Sequence, residues 1–164
     1  MKWRGQYAGR FLRTGAILFV AVACGAAANL LSPHRIPWVE DWSRYIEAKA
    51  MKEGITLVTA KQVERILHDG THVVFAARPP PDYRAGHLPG AVSLPQLSVE
   101  DELANVQHLL TPAQPILTYC NGLDCDESLL LTLYLRQQGF TNSVLFAGGF
   151  KEWAAGGRPV EGAP

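Results

Sequence analysis

The sequence predicts an α/β sandwich around a mainly parallel sheet, preceded by one helix that is suited to cross a membrane. Three observations lead to this prediction. Short β-prone runs alternate with helical segments along most of the chain. The clearest of these runs, residues 116–119, leads directly into a cysteine and then into a further helical segment. Near the N-terminus, residues 14–32 contain no charged side chain.

The composition is that of a folded protein with balanced charge. A chain of 164 residues has room for one domain and a tail, and 48% apolar residues exclude a disordered or collagen-like chain. Fifteen basic residues balance fifteen acidic ones, so we expect no nucleic-acid partner. Four of the basic residues lie within residues 1–13 without an acid beside them, which leaves a net charge of −4 on the remainder.

Residues 14–32 are predicted to form a transmembrane helix or a signal segment. As a helix, these nineteen residues span about 28 Å, close to the thickness of the bilayer core. Residues 1–13 form a basic head that is expected to stay in the cytoplasm. The predicted location is therefore the cytoplasmic membrane, as a single-pass protein with an uncleaved anchor whose C-terminal domain is periplasmic or extracellular.

Three other interpretations of this segment remain open. The small residues at 26–28 suit cleavage of a signal peptide. Residues 21–24 form a loose lipobox in which Cys24 would be acylated; otherwise Cys24 is a small apolar residue within a membrane helix. A helix buried in a soluble protein is the third alternative.

Residues 33–54 are predicted to be a juxtamembrane linker followed by a polar helix. Two prolines mark the first half of this segment, and Trp38 and Trp42 suit either the membrane interface or packing on the domain. The polar helix is expected over residues 43–53, and Gly54 ends it.

The globular domain is expected over residues 55–162. Its strands are predicted at 55–58, 72–76, 91–94, 116–119 and 144–146. The second strand is predicted to be broken by Arg78 and the three prolines at 79–81. Helices are predicted at 60–69, 99–110, 128–138 and 150–155. The first of these helices has a cap at Thr59 and a stop at Gly70. The third has the spacing of a buried face at Leu129, Leu130, Leu133 and Tyr134.

Cys120 is the candidate nucleophile. It directly follows strand 116–119, and parallel sheets place functional loops at the carboxyl ends of their strands. A cysteine at that position faces the positive N-terminus of the next helix and the backbone amides of the loop. Both favour a thiolate, and later a bound persulfide anion. Three cysteines are too few for a disulfide scaffold.

The segment after Cys120 resembles the active-site loop of a rhodanese domain. Upstream, Arg78, Asp82-Tyr83 and the run Gly-His-Leu-Pro-Gly-Ala at 86–91 resemble the first signature of that family. Downstream, Gly148-Gly149-Phe150 and the residues that follow resemble its closing signature, which includes Trp153, Gly156, Pro159 and Val160. The likeness covers residues 55–161. A membrane segment joined to one such domain also resembles a set of membrane-anchored bacterial members.

The resemblance implies a three-layer rhodanese-like sandwich and a sulfurtransferase reaction. Cys120 matches the nucleophile that accepts sulfane sulfur, becomes a persulfide and passes the sulfur on. The expected partners are a sulfur donor and a thiol acceptor, small or protein-bound, together with the membrane through residues 14–32. No cofactor and no metal are implied. The substrate-binding loop matches Asn121, Gly122, Leu123, Asp124 and Cys125.

Two departures from the family pattern bear on the substrate. Where many members carry basic residues in this loop, the chain has Asp124, Asp126 and Glu127. These acids suit a helix N-terminus, but they are also expected to repel thiosulfate and to oppose thiolate formation. The second departure is Ala76, where the family commonly has an acidic residue two positions before the arginine. An ion-pair network around Arg78 is therefore expected to be weaker.

Cys125 has two interpretations. It is a candidate resolving thiol that forms a disulfide with Cys120, or it is a small side chain that fills the end of the loop. A phosphatase or arsenate reductase of the related type is not favoured, because its phosphate-binding arginine would stand where the chain has Asp126. His87 is expected to be structural in a turn. No metal spacing with the cysteines is found for His34, His68, His72 and His108.

The sequence therefore favours a membrane-anchored sulfurtransferase. The alternative is a non-catalytic rhodanese-like module that binds a partner or senses redox state. A dithiol oxidoreductase that uses Cys120 and Cys125 is a third hypothesis, although four intervening residues differ from the two of thioredoxin-like sites.

Overall fold

The computed structural model describes residues 4–33, 36, 44–111 and 113–162, with side chains from residue 13 onward. Trp38, Trp42 and His34 lie outside these residues, so their predicted roles stay predictions. The chain divides into two compact units, Met1–Glu40 and Asp41–Pro164, each of which is described by itself.

The first unit contains one long helix, α1, over Arg4–Leu31. Its stretch Arg13–Leu31 has a mean hydropathy of 2.0, and none of it is buried inside the structure. In the last turn of α1, the side chain of Asn29 donates to the carbonyl of Ile36 at 2.8 Å and accepts from the amide of Ile36 at 2.7 Å. By length and composition α1 is a candidate membrane span, and a signal sequence would have the same properties.

The second unit is built on a five-stranded sheet in which every strand pair is parallel. The strands are β1 (Thr56–Leu57), β2 (Val73–Ala76), β3 (Val92–Ser93), β4 (Ile116–Tyr119) and β5 (Ser143–Phe146). Their order across the sheet is β1-β5-β4-β2-β3, so β4 is central. The predicted mainly parallel α/β architecture is confirmed.

Helices cover both faces of this sheet. They are α2 (Tyr45–Lys52), α3 (Ala60–Asp69), α4 (Pro80–Ala85), α5 (Val99–Val106), α6 (Glu127–Gln137) and α7 (Gly149–Ala155), with 3₁₀ turns at Gln96–Ser98 and Gln107–Leu109. One core cluster joins the sheet to α3 and α7, and a second joins it to α5 and α6. The alternation along β4 explains the two clusters, since Leu117 and Tyr119 lie in the first and Ile116 in the second.

Local hydrogen bonds and one glycine explain why α3 begins and ends at the residues that the sequence predicted. The side chain of Thr59 accepts a hydrogen bond from the amide of Gln62, and the side chain of Gln62 accepts one from the amide of Thr59. This capping box starts α3. Gly70 ends the helix with a φ of +60°, in the left-handed region.

Three elements differ from the sequence prediction. Helix α4 was not expected, because three consecutive prolines read as a break; Pro80 instead occupies its first turn, where proline is tolerated. Helix α2 is not merely polar, since Ile46 and Ala50 are buried in a third core cluster with Leu129. Of the buried face predicted for α6, Leu129 is fully buried, Leu133 and Tyr134 are half-buried and pack against the core clusters, and Leu130 is half-buried. The other fully buried side chains of α6 are Ser128, Leu131, Thr132 and Leu135.

A buried hydroxyl pair fixes α6 against β4. The Oγ1 atoms of Thr118 and Thr132 lie 2.5 Å apart, and Thr132 Oγ1 also donates to the carbonyl of Ser128 at 2.7 Å. Both threonines are fully buried, so their hydroxyls satisfy each other inside the core. This contact sets the distance between the strand and the helix that flank the Cys120 loop.

Candidate active site

Cys120 lies at the carboxyl end of the central strand β4, as expected. Its side chain is 1% exposed, and its Sγ lies 3.8 Å from the carbonyl oxygen of Ala77 on the neighbouring chain segment. The structure joins Cys120 to Cys125 in a disulfide whose Cα atoms are 6.1 Å apart, within the usual range. The two sulfurs of the loop are therefore close enough to react with each other.

The first half of the loop is held by the N-terminus of α7. The amide of Phe150 donates to the carbonyl of Cys120 at 2.9 Å, and the amide of Lys151 donates to that of Asn121 at 2.9 Å. Gly149 has a φ of +59°, and a Cβ added there would lie 2.5 Å from the carbonyl oxygen of Cys120. Only glycine allows this approach, which explains the second glycine of the pair in the closing signature.

Asn121 also connects the loop to α4. Its Nδ2 donates to Asp82 Oδ2 at 2.9 Å. The cysteine loop is thus supported from two helices, because α7 holds its backbone and α4 holds this side chain. The contact between Asn121 and Asp82 could not be predicted from the sequence, because helix α4 was not expected.

Arg78 is buried and packs on Phe150, the residue whose amide donates to the carbonyl of Cys120. Its Nη1 donates to the carbonyl of Gly86, and its guanidinium stacks on the ring of Phe150, 3.9 Å from the centroid. Burial lowers the pKa of Arg78, and the charge of Asp82 opposes that shift. Among the described residues Arg78 makes no ion pair, in keeping with the alanine at position 76.

The three acids near the loop occupy different environments. Glu127 Oε2 lies 2.7 Å from Cys125 Sγ and 3.7 Å from Cys120 Sγ. Asp124 instead points to Lys151, whose Nζ is 2.8 Å away, and this hydrogen-bonded partner lowers the pKa of Asp124. The sequence treated the acids as one group, whereas Glu127 is the one whose carboxylate contacts the sulfurs.

Asp126 stands at the N-cap position of α6, but its side chain makes no capping hydrogen bond. It is exposed to solvent. Asp126 therefore lies at a helix N-terminus, as the sequence predicted, although its side chain does not cap the helix. Its charge is screened by water more strongly than that of half-buried Glu127.

A small cavity of about 150 Å³ opens beside the sulfur pair. Its walls are mainly apolar, and Glu127 is the single charged side chain among them. Leu97 at its rim is 94% exposed. Ala77 lines the cavity, and the carbonyl oxygen of Ala77 lies 3.8 Å from Cys120 Sγ. The lining residues are Ala77, Pro79, Pro80, Pro95, Gln96, Leu97, Ser98 and Glu127.

The site also contains a donor set for a soft or borderline metal ion. The Sγ atoms of Cys120 and Cys125 and a carboxylate oxygen of Glu127 lie within 4.8 Å of one another. Thiolates and a carboxylate are zinc ligands, but a thiolate forms only when the disulfide is reduced. The sequence led us to expect no metal here, because it does not reveal that Glu127 approaches the cysteines.

His87 has the structural position that was expected. Its Nδ1 lies 2.9 Å from the carbonyl oxygen of Tyr83, and its ring stacks on that of Tyr83 with centroids 3.9 Å apart. The backbones of His87 and Glu161 exchange two hydrogen bonds. Trp153 is likewise a core residue, whose Nε1 donates to the carbonyl of Pro159.

Comparison with known proteins identifies the domain. A family model described as Rhodanese-like domain matches residues 59–156. Over 102 residues the chain is 29% identical to the thiosulfate sulfurtransferase GlpE of Pseudoalteromonas translucida, covering 60% of this chain and 88% of that protein. Over 108 residues it is 33% identical to the HTH-type transcriptional regulator Rv0324 of Mycobacterium tuberculosis, covering 65% of this chain and only 46% of the regulator.

Solved structures of other proteins have the same fold. The rhodanese-like domain of an Anabaena sp. protein matches with a TM-score of 0.54 and 26% identity, over 66% of this chain and 79% of that one. A thiosulfate sulfurtransferase from Pseudomonas aeruginosa matches with a TM-score of 0.60 over 75% of this chain and 23% of that one. At 17% identity the second match concerns the fold alone. The chain therefore belongs to the family of rhodanese-like domains.

Proposed function

We propose that this protein is a membrane-anchored sulfurtransferase that carries sulfane sulfur as a persulfide on Cys120. The observation that carries the proposal is the position of Cys120, at the carboxyl end of the central strand and in a loop whose backbone is held by α7. The similarity to a protein named thiosulfate sulfurtransferase supports the reaction class.

The reaction consists of two exchanges at sulfur. The thiolate of Cys120 attacks the outer sulfur of a donor persulfide, the sulfur–sulfur bond of the donor breaks, and the donor leaves as a thiol. An acceptor thiolate then attacks the outer sulfur on Cys120 and restores the thiolate. Each exchange conserves electrons, so a reduced Cys120 needs no further reactant.

The charge and polarity of the site favour a donor without a strong negative charge. Glu127 lies 3.7 Å from Cys120 Sγ, and the adjacent cavity is mainly apolar. At an effective dielectric of about 20, a like charge about 5 Å away costs roughly 3 kcal/mol, which partial exposure reduces. We therefore propose uncharged or protein-bound persulfides as donors in preference to thiosulfate.

Mass spectrometry tests the proposal directly. The full chain with Cys24→Ser and Cys125→Ser, reduced and then incubated with a persulfide donor, should gain about 32 Da, the mass of one sulfur, on Cys120. Cys125→Ser removes the thiol that pairs with Cys120, so a persulfide formed there is retained. The Cys24→Ser background removes the one free and exposed cysteine among the described residues. Absence of the adduct with every donor would contradict the proposal.

The disulfide favours a second candidate function, a rhodanese-like module that senses redox state. In that case the Cys120–Cys125 pair would change a binding surface without transferring sulfur. The same experiment separates the two candidates, because Cys120 of a sensor acquires no sulfur adduct even when Cys125 has been replaced.

We also propose that the domain faces away from the cytoplasm. The basic residues before α1 support this orientation, and so does the disulfide, since such bonds persist mainly in oxidising compartments. A reporter fused after Pro164 that is active only outside the cytoplasm should give signal. Signal from a reporter that works only in the cytoplasm would overturn the orientation.

A further inference from the structure

We infer that Cys125 discharges the persulfide of Cys120 as hydrogen sulfide, and that Glu127 accepts the proton released in this step. The inference rests on the proposed function, because a persulfide must first form on Cys120. It assigns the site a second outcome besides transfer to an external acceptor, namely reduction of sulfane sulfur to sulfide.

The first support is the position of the two sulfurs. Cys120 and Cys125 are bonded in the structure, so Cys125 Sγ reaches Cys120 Sγ with the loop in its folded conformation. The amide of Cys125 donates to the carbonyl of Gly122 at 3.0 Å, which closes the turn that brings the second cysteine back.

The second support is the burial of the nucleophile. Cys120 is 1% exposed, so an external acceptor must enter the core of the domain to reach a sulfur bound there. Cys125 already lies beside it, and an intramolecular thiol has a large advantage in effective concentration. Internal resolution therefore competes with any acceptor that is slow to enter.

The chemistry balances without an oxidant. The thiolate of Cys125 attacks Cys120 Sγ, the bond between Cys120 Sγ and the outer sulfur breaks, and the outer sulfur leaves as hydrosulfide. The outer sulfur gains two electrons, and the two cysteine sulfurs lose them as they form the disulfide. A dithiol reductant must then reduce the disulfide before the next turnover.

Exposure indicates where that reductant attacks. Cys125 is 9% exposed and Cys120 is 1% exposed, so Cys125 Sγ is the more accessible sulfur. Attack at Cys125 releases Cys120 as the leaving thiolate. The reductant is itself oxidised to a disulfide when its second thiol displaces Cys125.

Glu127 supplies the base. Its Oε2 lies 2.7 Å from Cys125 Sγ, within reach of the thiol proton in the reduced protein. The residue is half-buried in the first turn of α6, so its carboxylate is held beside the sulfurs. Among the residues that the structure describes, Glu127 takes part in no ion pair, unlike Asp124 with Lys151.

The main experiment measures sulfide and protein mass together. The reduced full chain with Cys24→Ser, in detergent micelles and freed of reductant, is mixed with cysteamine persulfide, whose ammonium group offsets the charge of the persulfide. We expect one sulfide per chain beyond a protein-free control, together with the intramolecular disulfide. Addition of a dithiol should convert this burst into continuous sulfide release.

The Cys125→Ser variant, compared with Cys125→Ala, separates the inference from the proposed function. Both variants should keep the sulfur adduct on Cys120 and release at least about tenfold less sulfide in the burst. Sulfide release equal to that of the parent would overturn the inference while leaving the persulfide proposal intact. If neither variant carries the adduct although both melt as the parent does, the proposed function itself fails.

Glu127→Gln tests the base, with Asp126→Asn as the matched control in the same helix turn. We expect Glu127→Gln to slow the sulfide burst at least about tenfold at neutral pH, with a deficit that shrinks at alkaline pH, where hydroxide ionises the thiol. The control should behave as the parent. An unchanged or faster burst in Glu127→Gln would show that the carboxylate only repels negative charge, and would overturn its assignment.

Discussion

The two halves of the cysteine loop are held in different ways. Residues 120–122 are held through the backbone, by amides of α7 that donate to loop carbonyls and by a glycine that admits their close approach. Residues 124–127 are placed by side chains, with Asp124 on Lys151 and Glu127 on the sulfurs. Substitutions around the first half should therefore affect folding, and those in the second half should affect reactivity.

The largest expected effect is on chemistry at Cys120, which belongs to the first half through its backbone but carries the reacting sulfur. Cys120→Ser should abolish formation of the sulfur adduct, because a serine hydroxyl does not accept sulfane sulfur. The domain should stay folded, with a melting temperature somewhat below that of the reduced parent, because the substitution buries a hydroxyl in the core. An adduct of undiminished yield in this variant would remove Cys120 from the mechanism.

The backbone half is most sensitive at Gly149. Gly149→Ala should lower the free energy of unfolding by at least about 2 kcal/mol, because the added Cβ would collide with backbone atoms of the loop. Gly157→Ala is the matched control, since its φ of +66° is similar but no atom lies within 4 Å of the added Cβ. Its expected cost is only about 1 kcal/mol, from the left-handed backbone alone.

Denaturant titration of both glycine variants and the parent measures this difference. Equal destabilisation by the two substitutions would show that the backbone approach between α7 and the loop contributes little. It would also contradict the distinction between a first half whose contacts stabilise the fold and a second half whose side chains affect reactivity.

In the second half, Glu127 should matter more for donor choice than the two aspartates. Glu127→Gln should raise the apparent affinity for thiosulfate about fivefold at low salt, since the nearest like charge is removed. The double variant Asp124→Asn/Asp126→Asn should change it less than about twofold, because one acid is paired and the other solvated. Steady-state kinetics at two ionic strengths would contradict this ranking if the double variant gave the larger gain.

The smallest effect concerns the exposed pair of Asp124 and Lys151. Lys151→Gln should return the pKa of Asp124 towards its ordinary value, which NMR of the side-chain carboxyl can follow. Because the pKa is lowered in the folded state, any stabilisation is present above the ordinary carboxyl pKa and is lost as the pH falls through the lowered value. A pKa that does not move in the variant would exclude Lys151 as its cause.

Several parts of this protein followed from the sequence alone, because they depend on neighbours along the chain. The strand that ends at Cys120, the cap at Thr59 and the stop at Gly70 were predicted correctly from apolar runs and local hydrogen-bonding chemistry. The rhodanese family was identified from three motifs in order, and the family comparison confirms it. The uncharged run also predicted the long apolar helix, which remains a candidate membrane span.

Tertiary structure decided which side chains meet. The proline run at 79–81 looked like a break until its contacts formed α4, which supplies Asp82 to the cysteine loop. Three acids looked equivalent in the sequence, yet only Glu127 reaches the sulfurs, because the packing of α6 against β4 sets where the first turn of α6 points. Such distances depend on contacts between residues far apart in the chain, and local propensity carries no information about them.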